Sequence, residues 1–148
     1  MGKSDKKKSP KYAKEPVAEK KPKFSEDAKV KGAPISWRFS HHDREGPFPW
    51  PKVFENGDLQ EVIERLASVE GLAEHDLARD GSHSIELHQL CKEAQERLTH
   101  LRHDDLDTVF SLRVSGPKRV FCIHHGNIMR VLWYDPEHQI CPAPKKHT

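Results

Sequence analysis

Between residues 108 and 134 the chain changes from a helical period to a strict alternation, and no other feature constrains its fold as strongly. TVFSLRVS, residues 108–115, sets Phe110, Leu112 and Val114 on one face and Ser111, Arg113 and Ser115 on the other. Gly116-Pro117 then turns the chain into KRVFCIH, residues 118–124. His125-Gly126-Asn127 turns it again into IMRVLWY, residues 128–134. Gly and Asn accept the positive φ that tight hairpins require. Three strands joined this way predict an antiparallel meander.

Such a sheet must bury a face, and the preceding sequence supplies two amphipathic helices to cover it. In DLQEVIERLASVEGL, residues 58–72, Leu59, Val62, Ile63, Leu66 and Val69 share one side of a helix. Asp58 with Glu61 has the spacing of a capping box, and Gly71 is a natural stop. The spacing of Leu87, Leu90, Cys91, Ala94, Leu98 and Leu101 predicts a second helix over residues 85–101. Residues 73–84 between them hold a Gly-Ser turn and read as irregular, with a short helical turn at their start. The fold class is therefore α+β: two helices, then a three-stranded antiparallel β-meander. Both helices are expected on one face of the meander, leaving the other uncovered.

Ahead of the helices, residues 32–54 carry Ile35, Trp37, Phe39, Phe48, Trp50 and Phe54 among several prolines. At about 25 cal/mol per Å2 that much apolar surface is too costly to leave in water. The segment reads as an extended arm packed over the domain, with residues 35–39 a candidate edge strand. Adjacent strand residues face opposite ways. One of Trp133 and Tyr134 is therefore expected in the core, and the other at an edge or under this arm.

Residues 1–31 differ in kind. They hold eleven lysines against five acids, while the whole 148-residue chain carries only +2. With so few apolar residues the segment cannot offset its ordering entropy, and it reads as a disordered Lys-rich tail ahead of a single domain, residues 32–148. A cationic arm of this composition can track phosphates, or simply solubilise. The sequence shows neither the apolar core of a secretory signal nor a membrane-spanning run. Cys91, Cys122 and Cys141 are odd in number and form no C-x-x-C pair. They predict free thiols in a reducing, cytoplasmic setting. Eight of the eleven histidines form clusters (His41-His42, His124-His125, and His83, His88, His100, His103) that match no metal-ligand spacing, so neither metal nor cofactor is expected.

The stretch FSLRVSGPKRVFCIHHGNIMRVLWYDPEHQI, residues 110–140, following two helices, resembles the RelE/ParE toxin superfamily. That resemblance implies an mRNA endoribonuclease acting at the ribosome, held in check by an antitoxin protein over the free sheet face. It implies phosphate contacts from Arg113 on the first strand and Arg119 at the opening of the second. It gives His138, just past the third strand, a place near the leaving group. Lys118, Arg130 and the C-terminal Lys145 and Lys146 are candidate RNA contacts. Ser111 stands where a second basic residue is expected, and nothing aromatic follows Tyr134 where family members carry a C-terminal tyrosine.

The residues suit that chemistry by themselves. Attack of a 2′-hydroxyl on its own phosphodiester needs a base, cations for the phosphorane charge, and an acid for the leaving oxygen. His138 can serve as acid or base, Glu137 as an alternative base or a helper that orients His138, and two arginines can grip phosphate oxygens. The duller alternatives are an Arg113 that is solvated or paired with Asp104, Asp105 or Asp107, a turn-bound Arg119, and His138 as a plain turn residue. A non-catalytic module that docks nucleic acid or protein on the same sheet is the competing function.

Overall fold

The computed structural model describes residues 33–142, so the expected N-terminal tail, Lys145 and Lys146 lie outside the described residues. The chain is α+β, built on one five-stranded mixed sheet. The elements are β1 (Ser36–Arg38), α1 (Lys52–Glu55), α2 (Leu59–Val69), a 3-10 turn (Glu74–Asp80), β2 (His83–Glu86), a second 3-10 turn (Leu87–Gln89), α3 (Lys92–His100), β3 (Thr108–Ser115), β4 (Lys118–His125) and β5 (Ile128–Asp135). The sheet order is β1-β5-β4-β3-β2. The meander β3-β4-β5 is antiparallel as the alternation predicts, turning at Gly116 and Gly126, both at positive φ.

Two strands extend the meander. The residue 35–39 segment does supply an edge strand: β1 pairs parallel with β5, Trp37 opposite Met129. On the other edge, His83–Glu86 pairs antiparallel with β3, Ile85 opposite Val109. This strand corrects the expectation of a helix over residues 85–101. Ile85 is buried in the sheet, and Leu90 has an extended backbone, so helical geometry begins only at Lys92. Leu87 and Leu90 still pack with Ala94 and Leu98, which is why the stripe looked continuous.

The second correction concerns layers. Val62, Leu66 and Val69 of α2 pack with Phe110, Leu112, Val120 and Tyr134 on one face of the sheet. Ala94 and Leu98 of α3 pack with Val109, Phe121, Leu132 and Trp133 on the other, joined by Phe48 of the arm. The helices thus split between the faces, and neither face is left open along its length. Strand alternation sends Trp133 and Tyr134 to opposite sides, as expected, but each side has its own core and both rings are fully buried. An irregularity in the β4–β5 pairing, where Phe121 faces Trp133 but Cys122 faces Val131, adds Leu132 to the α3 side.

Each buried ring is tied down by a carboxylate. Tyr134 Oη donates to Asp58 Oδ2 at 2.7 Å. Asp58 also receives Lys118 Nζ at 3.1 Å, and these partners occupy the oxygens a capping box would use; Asp58 begins α2 without a side-chain cap. Trp133 Nε1 donates to Asp43 Oδ2 at 2.9 Å. Asp43 is buried and is gripped by Arg97 of α3 through Nε and a terminal nitrogen, at 2.9 and 2.8 Å. Gly46 is required beside this pair: its φ is +84°, and a Cβ there would stand 2.5 Å from Arg97 Nε.

Burial raises the Asp43 carboxyl, but hydrogen bonds from Arg97, Trp133 and the Glu45 N–H outweigh it and hold the group below its ordinary value of 3.8. A depressed carboxylate stabilises the fold fully above that value and loses its contribution as pH falls through the folded one. Asp43→Ala is expected to cost about 3 kcal/mol at neutral pH, because Arg97 is left charged and unpaired. Urea midpoints followed downward from neutral pH should show the cost shrinking below pH 3.8; a pH-independent difference would contradict this assignment.

Candidate functional site

At the end of the sheet where β3 meets β4, the α3-side face opens into a cavity of about 250 Å3. Each of four strands contributes one polar residue to its lining: His83 of β2, Ser111 of β3, Arg119 of β4 and Asp135 of β5. His83 is the direct cross-strand partner of Ser111, and Arg119 of Asp135, so pairing register alone brings the four together. Phe121 and Ile85 supply the apolar part, and His138 reaches the cavity from the loop beyond β5.

That loop is shaped by Asp135. Its buried carboxylate accepts the backbone N–H groups of Gln139 at 3.0 Å and Ile140 at 2.8 Å, folding the chain back on the strand end. Within the fold-back His138 adopts φ 60°, a left-handed conformation that costs a β-carbon residue about 1–2 kcal/mol. His138 also borders a second depression lined by Phe48 and Glu93, so it stands between two hollows.

Arg119 donates to the carbonyls of Gly116, at 2.6 Å, and Lys118, at 3.1 Å, which fixes its guanidinium close to the strand. Burial lowers its pKa, and the charge of Arg113 lowers it further, while Asp135 offsets part of this. Arginine stays cationic through such shifts. The result is a cation beside another cation, with Asp135 as a partial counter-charge whose oxygens also hold backbone donors. Such a site favours an added anion.

Of the three residues expected to carry chemistry, Arg119 and His138 therefore line one cavity. Arg113 is the cross-strand neighbour of Arg119 but lines a separate hollow with Arg65 and Asp80. Its side chain rests against Gly81, which lines the main cavity. Of the two duller alternatives for Arg113, the pairing with Asp104, Asp105 or Asp107 is not found; Asp80 in the same hollow pairs with Arg65. Lys118 is drawn toward α2, bonded to Glu61 at 2.7 Å and Asp58 at 3.1 Å, and those partners raise its pKa. Arg130 sits at the far end of β5, opposite Arg38 of β1.

His83, Ser111 and Asp135 were not singled out as site residues from the sequence. His83 fell in a segment read as irregular, and Asp135 looked like the start of a turn. Only β2 pairing with β3 makes His83 a neighbour of Arg119. Among the described residues no group of three or more His, Cys, Asp or Glu is placed to hold a metal ion. No helix among them is long and apolar enough to cross a membrane. No protein-family model, no curated protein and no solved structure matches the chain.

The strained residue offers a direct check. His138→Gly should raise stability by about 1 kcal/mol in urea denaturation, because glycine adopts positive φ without penalty. A destabilised variant would show that the imidazole is kept for packing and not for the cavity.

Proposed function

We infer that this chain is an RNA-directed protein of the toxin kind, an endoribonuclease whose reacting phosphate sits at Arg119. The observation that carries the reading is the shared cavity of Arg119 and His138, with His83 in the same lining and Arg113 directly across the β3–β4 pairing from Arg119. Two histidines beside a guanidinium supply what internal transesterification requires. One imidazole takes the proton of the 2′-hydroxyl as its oxygen bonds to phosphorus. Arg119 neutralises the non-bridging oxygens, and the second imidazole gives a proton to the departing 5′-oxygen. The products are a 2′,3′-cyclic phosphate and a free 5′-hydroxyl.

The resemblance of residues 110–140 to RelE/ParE toxins supports the same reading. It extends to the implied partners: the translating ribosome, and an antitoxin that neutralises the cationic sheet end. A non-catalytic docking module is the second reading. It is favoured by the cover of α3 and Phe48 over the middle of the face, which leaves a pocket where an uncovered sheet face was expected.

Cleavage of a defined mRNA in a translation extract separates the two. Arg119→Ala and His138→Ala should each lower the rate at least about 100-fold with the fold intact by circular dichroism. RNA binding without cleavage by the parent chain would select the module, and cleavage unaffected by either variant would refute the site.

A further inference from the structure

We propose that Cys91 and Cys141 form a redox pair, a dithiol that closes to an intramolecular disulfide beside the cavity. The Cys91 N–H donates to the Ile140 carbonyl at 2.7 Å, which pins the segment entering Cys141 to the start of α3. A hydrogen bond to the preceding residue's carbonyl leaves two α-carbons within about 7 Å, the span that a disulfide bridges. Both thiols are free, both are half-buried, and both pack against the α3-side core. Burial raises both thiols, and Cys91 raises Cys141 further, so the two sulfurs lie within each other's electrostatic reach. Cys122 is fully buried and belongs to the opposite core.

Cys91 occupies the N-cap of α3, where its sulfur faces the Glu93 and Ala94 N–H groups, which lower its pKa against the larger effect of burial. Cys141 in turn lines the cavity together with Arg119 and His138. A bond between the two sulfurs would tether the Asp135-to-Pro142 segment, with His138 at its middle, to α3.

The oxidant is a small-molecule disulfide such as oxidised glutathione. One protein thiolate attacks a sulfur of the reagent, forms a mixed disulfide and releases the first small thiol. The second protein thiolate attacks the protein-side sulfur and releases the other. Two electrons pass from the protein pair to the reagent, and the two protons leave on the small thiols.

The test uses the full chain incubated with oxidised glutathione, alkylated, digested without reductant and mapped by mass spectrometry. The expected product is one cross-linked species joining the Cys91 and Cys141 peptides, with Cys122 alkylated only after unfolding. Cys91→Ser, which keeps a good N-cap, should leave Cys141 as a free thiol or a glutathione adduct. Separately alkylated or separately glutathionylated Cys91 and Cys141 in the parent chain, or a cross-link between two chains, would overturn the proposal.

Discussion

The structure depends on one constraint, the burial of β5 from both sides. Residues 131–135 are all buried, an unbroken stretch ending at Asp135. A strand enclosed this way has no solvent to satisfy its side-chain polar atoms, so each must find a partner inside the protein. Trp133 finds Asp43 from the arm, and Tyr134 finds Asp58 from the start of α2. These two bonds draw distant parts of the chain onto opposite faces of the same strand. Arg97 completes the first and Lys118 the second, so each of these two carboxylates has a cation. Among the described residues no buried side-chain polar atom lacks a partner.

Asp135 is where that enclosure ends and the site begins. A carboxylate at this position offsets part of the repulsion that Arg113 exerts on Arg119, its cross-strand partner, while its oxygens hold the backbone of residues 139 and 140. The fold-back that results sets His138 in a left-handed conformation over the strand end. Unfavourable backbone geometry and the repulsion of Arg119 by Arg113 therefore meet at this strand end. Stability alone would favour neither, and such costs persist where they prepare a surface for a ligand.

Much of this architecture was legible in the sequence. The turns at Gly116 and Gly126 and the alternation between them define the meander, and the stripe from Leu59 to Val69 defines α2. The first part of the second stripe misled, because Ile85, Leu87 and Leu90 serve a strand and a 3-10 turn that pack on the same core as α3. The division of the helices between two faces was hidden for a related reason. An amphipathic pattern says that a face is buried, not which side of a sheet buries it. The rule that adjacent strand residues diverge correctly separated Trp133 from Tyr134, yet it could not show that a second core awaited the other ring.

The site was legible in part. Arg119 and His138 stood out by charge and position beside turns. His83 and Asp135 could not, since their relation to Arg119 is a matter of strand register across distant sequence. The most direct measurement of the central claim is a nuclear magnetic resonance titration with a short single-stranded RNA. The side-chain signals of Arg119, His83 and His138 should shift together and saturate at one affinity. Shifts confined to the lysine-rich termini, with both imidazoles unmoved, would contradict the account.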